Sequence, residues 1–347
     1  MKSILITGGT GYIGSHTCIK LIEKNYRVII VDSLINSSYK SIIRIKKILK
    51  KKFQDIDKRL FFFKGDIRNE LFLKDVFNKF HSENSKVESV IHFAGLKSTL
   101  ESISNPLAYW DVNVYGSINL LKVMDIFNCN EIVFSSTANV YDPSFSSNLD
   151  ENSPLNPINP YGYSKLTIEN ILKNIYQSNT NKWKIAILRY FNPIGAHPSG
   201  DIGESPKNKP SNLFPLLCEV AKNNLNCLEI FGNDWPTRDG TGIRDFIHVM
   251  DLAEAHVAAL NYIKENNHNI NFFNIGTGKG TTVLELIKLF EKTNNCSINL
   301  KFSSRREGDI SQSIADISKA LCHLDWKPNF SIEDSCRDGW QWITKNS

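Results

Sequence analysis

No segment of the 347-residue sequence approaches the ~18 consecutive apolar residues that a membrane span needs. The opening apolar stretch, residues 1–7, is too short for a signal peptide and runs straight into glycines. Neither Cys-x-x-Cys nor His-Glu-x-x-His occurs, and the eight histidines do not cluster with cysteines, so no metal site is expected. Seven cysteines, at 18, 129, 218, 227, 296, 322 and 336, are scattered and odd in number, which argues against a disulfide framework. Reduced thiols and a cytoplasmic location are the expectation. Excess charge is also scarce: the net is +5, and one run, Lys46-Lys47-Ile48-Leu49-Lys50-Lys51-Lys52, supplies all of it. No aromatic residue interleaves those lysines, so a solvated helix face or loop is expected, with neither nucleic acid nor membrane as a partner. What is present, 41% apolar and 22% charged residues, is an ordinary globular composition. The length allows two lobes.

The apolar residues fall in short runs: Ser3-Ile4-Leu5-Ile6, Arg27-Val28-Ile29-Ile30-Val31, Leu60-Phe61-Phe62-Phe63, residues 87–93, Glu131-Ile132-Val133-Phe134 and Lys184-Ile185-Ala186-Ile187-Leu188-Arg189-Tyr190. Helical patterns lie between them, at 12–24, 106–127 and 160–176 for example. Strands apolar on both faces and alternating with helices predict an α/β fold, a doubly wound parallel sheet of the Rossmann kind. After residue 190 Pro and Asn become frequent, as in His197-Pro198-Ser199-Gly200 and Pro206-Lys207-Asn208-Lys209-Pro210. This predicts a sheet domain over 1–190 and a smaller substrate lobe over 191–347, with some later segments returning to the first. Glu265-Asn266-Asn267-His268-Asn269 reads as a surface loop.

Gly8-Gly9-Thr10-Gly11-Tyr12-Ile13-Gly14 stands between the first strand and the first helix. Glycine there lets the backbone turn sharply and approach a pyrophosphate, which then lies on the helix N-terminus. Asp32 ends the second strand, 18 residues after Gly14. A carboxylate at that place accepts from ribose hydroxyls and repels a 2′-phosphate, which favours NAD over NADP. Capping a turn is its other possible role. Gly65-Asp66-Ile67 and Phe93-Ala94-Gly95 also follow strand ends, where such sheets bind ligands. By spacing alone Asp66 serves equally well as a cap for the chain from Arg68 onward.

Tyr161-Gly162-Tyr163-Ser164-Lys165 follows Pro160, a favoured first helical residue. Tyr161 and Lys165 are four apart and so share a helix face. A phenol titrates near ~10 and needs a neighbouring cation to act as a base near neutrality. Lys165 is suited to supply that charge, and Tyr163 has no such partner. An amphipathic helix with a core Tyr and a surface Lys would show the same spacing. Thr137, at a strand end 24 residues upstream of Tyr161, offers a hydroxyl to share the substrate's proton.

The glycine fingerprint with Thr137, Tyr161 and Lys165 resembles the short-chain dehydrogenase/reductases. The extended branch is similar throughout: Gly65-Asp66-Ile67-Arg68, His92-Phe93-Ala94-Gly95-Leu96-Lys97, Leu188-Arg189-Tyr190-Phe191-Asn192-Pro193-Ile194-Gly195-Ala196-His197-Pro198, Gly240-Thr241-Gly242-Ile243-Arg244-Asp245-Phe246-Ile247-His248-Val249 and Arg306-Glu307-Gly308-Asp309. From residue 1 to about 342 the combination resembles the UDP-glucose 4-epimerases. The resemblance implies an NAD-dependent isomerase acting through a 4-keto sugar, and a homodimer pairing helices near 106–127 and 160–176. It implies cofactor contacts from Gly8, Gly11, Tyr12, Ile13, Gly14, Asp32, Asn36, Ser37, Asp66, Ile67, Phe93, Ala94, Gly95, Tyr161, Lys165 and Tyr190. Lys97 and Asn113 would lie on the nicotinamide side. It also implies Arg244 and Arg306 as diphosphate clamps, Asn192 as a diphosphate-facing amide, Asp309 as a ribose ligand, and Asn212, Leu213 and Phe231 around the uridine.

Departures from the family pattern are few. Thr137 stands for a common Ser, Asp142 for a usual Gly, Phe246 for a common Tyr, and the lysine-rich stretch is longer. A 4,6-dehydratase would carry carboxylates after Thr137, where this chain has Ala138 and Asn139. A UDP-glucuronate 4-epimerase stays open as an alternative, since recognition of sugar C6 is not legible. A silent NAD-binding protein would be expected to lose Tyr161, Lys165 or Thr137. Counted from Arg306, Ser313 falls where galactose-restricted relatives carry a bulky Tyr. It is expected either to admit an N-acetylated sugar or to be an ordinary polar residue of a shifted loop.

Overall fold

Seven parallel strands form the central sheet. Six come in order from the first 190 residues: β1 (Ser3–Thr7), β2 (Arg27–Asp32), β3 (Leu60–Lys64), β4 (Val87–His92), β5 (Glu131–Ser135) and β6 (Lys184–Tyr190). The seventh, Ile270–Ile275, arrives from beyond the second lobe and pairs with β6, Ile270 opposite Ile185 and Ile275 opposite Tyr190. Across the sheet the order is Ile270–Ile275, β6, β5, β4, β1, β2, β3. This computed structural model describes residues 1–346 apart from 83, 84, 146, 147, 206, 208–211, 267, 268 and 307. Much of the predicted 206–210 and 265–269 loops, and Glu307, therefore lies outside the described residues.

All six foreseen strands form: the apolar runs of β1, β2, β4, β5 and β6 are buried on both faces, while β3, at the sheet's edge, buries Leu60 and half-buries its three phenylalanines. One face packs Ile19, Leu21 and Ile22 of the helix Tyr12–Glu23 with Leu252, Ala259 and Leu260 of the helix Val249–Glu265. The other packs Phe77 and Phe80 of Glu70–Ser82 with Leu120 and Met124 of Gly116–Ile126. The lysine-rich stretch ends the helix Lys40–Leu49, which buries Ile42, Ile45 and Leu49, and runs on past it through Lys50, Lys51 and Lys52. Lys46 pairs with Asp57, and Lys47 with Asp201 at 2.8 Å.

The predicted single helix over 106–127 is broken into an α-turn at Pro106–Tyr109, a π-turn at Trp110–Tyr115 and the helix Gly116–Ile126. The wider turn carries Asn113 into the interior. The second lobe packs the helices Leu213–Ala221, Val283–Asn294 and Ile332–Lys345 around Phe214, Leu217, Leu286 and Phe290. Short strands in this lobe aim side chains back at the sheet. Ile243–Arg244 pairs parallel with Gln312–Ser313, which sets Arg244 and Ser313 side by side in register. Among the described residues no helix is long and apolar enough to cross a membrane.

Candidate active site

The carboxyl ends of the strands and the second lobe enclose a cavity of about 1060 Å3. On the sheet side it begins with the glycine turn. Gly8 has φ +72°, and a Cβ there would stand 2.7 Å from Ala94 N, so this crossing beside the fourth strand's end requires glycine. A Cβ on Gly14 would lie 2.4 Å from Gly8 O. Gly11 caps the helix Tyr12–Glu23 without a side chain, and the first turn holds no acid. Its N–H groups have no intrahelical acceptor and face an anion-sized space. Tyr12, beside them, donates its hydroxyl to Gly195 O at 2.6 Å and so ties the turn to the chain after Asn192.

Asp32 takes both roles open to it. Its carboxylate accepts from Leu34 N (2.9 Å) and Ser37 Oγ (2.9 Å), closing the turn, and from Thr10 N of the glycine turn at 3.1 Å. It also lines the cavity with Asn36 and Ser37. Asp66 likewise caps its loop, accepting from Arg68 N at 2.9 Å and pairing with the Arg68 guanidinium at 2.6 Å. That bond to Arg68 holds its carboxyl below the usual range. These residues fit a dinucleotide: an open helix N-terminus for the pyrophosphate, and Asp32 and Asp66 on the wall beyond it.

The reacting groups come from β5 and the helix Pro160–Ser178. Asn159 caps that helix by accepting from Gly162 N at 2.9 Å, and Pro160 takes the first position. The next turns set Tyr161 and Lys165 inward, both buried, while Tyr163 is 45% exposed. This separates the two tyrosines that spacing alone ranked only by their partners. Burial pushes the Tyr161 phenol well up, with Tyr190 adding and the neighbouring Thr137 hydroxyl opposing. Burial lowers Lys165 to about 8, against Glu169. Lys165 Nζ donates to Ser135 O at 2.9 Å and stands 4.9 Å from the Phe134 ring centre. Thr137 Oγ1 accepts from Asn139 N (3.2 Å) and Asn139 Nδ2 (3.1 Å). With both acceptor positions occupied, its own O–H is left to donate, and its neighbour is the Tyr161 phenol.

The far wall carries Asn192, Asn212, Leu213, Phe231, Arg244, Arg306 and Asp309. Arg244 donates to Ile243 O and Ile310 O, which fixes its fork. Arg306 lies 4.6 Å over the Phe231 ring and donates to Asp309 at 3.0 Å. Asn212 occupies a helix N-cap without capping it, so its amide is not tied to that helix end. Two foreseen ligands are elsewhere. Asn113 is off the cavity wall, its amide accepting from Leu96 N (2.7 Å) and donating to Leu96 O (3.1 Å) and Ser164 Oγ (3.0 Å). It supports the Leu96–Lys97 loop, because the π-turn rotates it inward. Ser313 is also off the wall, and its backbone carbonyl accepts from Asp245 N at 3.0 Å. Glu204 was not foreseen. It lines the cavity and takes Lys97 Nζ at 2.7 Å, a pairing across more than a hundred residues that leaves no local signal.

A glycine turn opening a helix at the centre of a parallel sheet, with an inward Tyr161–Lys165 pair beside Thr137, defines an extended short-chain dehydrogenase/reductase. The family model described as GDP-mannose 4,6 dehydratase, from that extended class, matches residues 5–339. UDP-glucose 4-epimerase 1 of Oryza sativa subsp. japonica is 44% identical over 348 residues, which cover all of this chain and 96% of the relative. The crystal structure of UDP-glucose-4-epimerase from Stenotrophomonas maltophila with bound NAD and formylated UDP-arabinopyranose is similar at TM-score 0.93 and 41% identity. It covers 99% of this chain and 98% of that one. The epimerase of Bifidobacterium longum, in complex with NAD+ and UDP, is similar at TM-score 0.91 and 41% identity, over 99% of each chain. The chain belongs to the UDP-glucose 4-epimerase family.

Proposed function

We propose that the protein inverts C4 of a UDP-hexose, interconverting UDP-glucose and UDP-galactose, with NAD held by the glycine turn, Asp32 and Asp66. The observation that carries the reading is the inward Tyr161 beside Thr137 in the same cavity as the glycine turn and Arg244 with Arg306. When bound, NAD supplies a reversible hydride acceptor for the sugar's C4. Tyr161 takes the proton that leaves the 4-hydroxyl, and Thr137 turns its O–H to the same oxygen. Burial alone keeps the phenol protonated, so the Lys165 charge is needed to make the phenolate accessible. Asn192, Arg244 and Arg306 hold the diphosphate while the 4-keto sugar turns, and Tyr161 then returns the proton. Binding remote from the reacting carbon thereby serves the chemical step.

A dehydratase needs an acid and a base placed for elimination. Here Ala138 offers none, and the Asn139 amide is bonded to Thr137. Two further parts of the reading concern the whole protein. Leu107, Trp110 and Tyr115 stand exposed along the helical run 106–115, an apolar row suited to a homodimer. Seven free cysteines suit a reducing cytoplasm.

Incubating purified protein with UDP-galactose and no added cofactor should yield UDP-glucose. Tyr161→Phe should lower turnover by at least ~100-fold, the lower range for general acid–base catalysis, and still release bound NAD(H) on denaturation. No conversion by wild type, or undiminished conversion by Tyr161→Phe, overturns the reading. Running UDP-N-acetylgalactosamine beside it tests the narrower expectation that Ser313 leaves room for an acetamido group. Turnover of UDP-galactose with none of the N-acetylated sugar retires that expectation.

A further inference from the structure

Behind the reacting face of the helix Pro160–Ser178 lies an ion pair to which the mechanism above gives no part. Glu169 Oε1 accepts from Ser136 Oγ at 2.6 Å and from Arg189 Nε at 3.0 Å, and Oε2 accepts from Arg189 Nη2 at 2.7 Å. Arg189 Nη1 reaches on to Tyr141 Oη at 3.2 Å and Glu151 O at 3.1 Å. The two side chains are 0% and 2% exposed. A buried ion pair is a poor way to gain stability, since apolar residues of the same volume do as well or better. Its position, however, is specific.

Ser136 stands between Ser135, whose carbonyl receives Lys165 Nζ, and Thr137. Its N–H is also pinned, donating to Leu188 O at 2.8 Å. Glu169 is one helical turn beyond Lys165, on the same face. The other groups gathered around Lys165 and Glu169 are Tyr161 on the same helix, His92 from β4, Phe134 and the Ser135 carbonyl from β5, and, from β6, Arg189 on Glu169 and Tyr190 beside Tyr161. His92 is held neutral, pushed down to about 3 by burial with Lys165 adding. Burial pushes the Tyr190 phenol up. Glu169 is thus the one anion in this group.

We propose that Glu169 is a positioning residue of the reaction: it fixes the 135–137 segment through Ser136 and keeps the proton on Lys165, with Arg189 clamping the carboxylate in place. The inference rests on the reading that Tyr161, Lys165 and Thr137 carry the chemistry. Burial works against the Lys165 charge and Glu169 works for it, in agreement with this placement. With Glu169 neutralised, Lys165 would keep its burial but lose the charge that opposes it, and so release its proton at lower pH.

The test is the pH profile of turnover for Glu169→Gln, Glu169→Asp and the double variant Glu169→Gln/Arg189→Met, each with its Tm. Wild-type kcat should fall on the alkaline side as Lys165 deprotonates. In Glu169→Gln that limb should move down by at least ~1 pH unit, costing about fivefold in kcat near pH 8 and approaching tenfold at higher pH. KM for the UDP-sugar should stay within about twofold, because the diphosphate contacts lie elsewhere. Glu169→Asp should restore the limb in part. The double variant should regain Tm by removing the unpaired Arg189, while its limb stays below that of wild type. A folded Glu169→Gln with lowered Tm and an unmoved limb overturns the proposal. Should the single variant not fold, an unmoved limb in the double variant overturns it equally. Tyr161→Phe, measured alongside, separates the two failures: if it keeps its turnover, the underlying reading is wrong, and if it alone loses turnover, only the role of Glu169 is.

Discussion

Three donors converge on Asp32 at the buried end of β2, and one of them, Thr10 N, belongs to the glycine turn. The residue therefore shapes the pocket as well as charging it, and two substitutions separate these effects. Asp32→Asn keeps an acceptor for part of the network but removes the charge, so bound NADP(H) should rise relative to NAD(H) in the nucleotide released on denaturation. Asp32→Ala strands buried donors as well, and should cost a further ~1–3 kcal/mol of stability for groups left unsatisfied. NADP(H) dominating in the wild-type protein would overturn the role given to Asp32. Residues of this kind were legible because their neighbours in sequence are their partners in space. Asp32 follows its strand, and Tyr161 and Lys165 share one helix face. Asn113 was placed in the cavity by resemblance, but its orientation depends on Leu96, a contact made in tertiary structure. Glu204 was invisible for the same reason, its partner Lys97 lying on the opposite side of the cleft.

At the scale of elements, burial on both faces made β1, β2 and β4 to β6 readable, and the Phe61-Phe62-Phe63 run showed β3, since strands of five to seven residues built on short apolar runs between turns are the pattern of a covered sheet. The seventh strand did not declare itself. Ile270-Asn271-Phe272-Phe273-Asn274-Ile275 interrupts its apolar residues with two asparagines, and its first half is only partly buried. An edge strand has one neighbour, and this one uses an asparagine constructively. Asn274 donates through Nδ2 to Leu149 O and accepts from Tyr141 Oη, satisfying a polar side chain inside the fold. The break in the helical run 106–127 was also hidden, because a π-turn changes hydrogen-bond register without changing composition. Local propensity therefore revealed that a helix forms there, but not which side chains it turns inward.

The whole molecule exposes its large apolar side chains unevenly, and the row from Leu107 to Tyr115 runs onto the element that carries Asn113. If two copies meet along that row, a charge at its most exposed member should split them. Leu107, 77% exposed, is that residue. Leu107→Glu should convert a dimer to a monomer in sedimentation while leaving Tm nearly unchanged, because the side chain touches little within one chain. A wild-type protein that sediments as a monomer at micromolar concentration would remove the basis for the pairing. The pairing of Ile270–Ile275 with β6 has a consequence of another kind, in the timing of synthesis. The two strands are adjacent in space but separated by about 80 residues of chain. At roughly 5–20 residues per second, a ribosome needs about 4–16 s to deliver the closing strand after β6 has been made. During that interval the nascent sheet presents an open, apolar edge, so chaperone capture should be strongest on chains stalled between these two strands and should fall once Ile275 has cleared the exit tunnel.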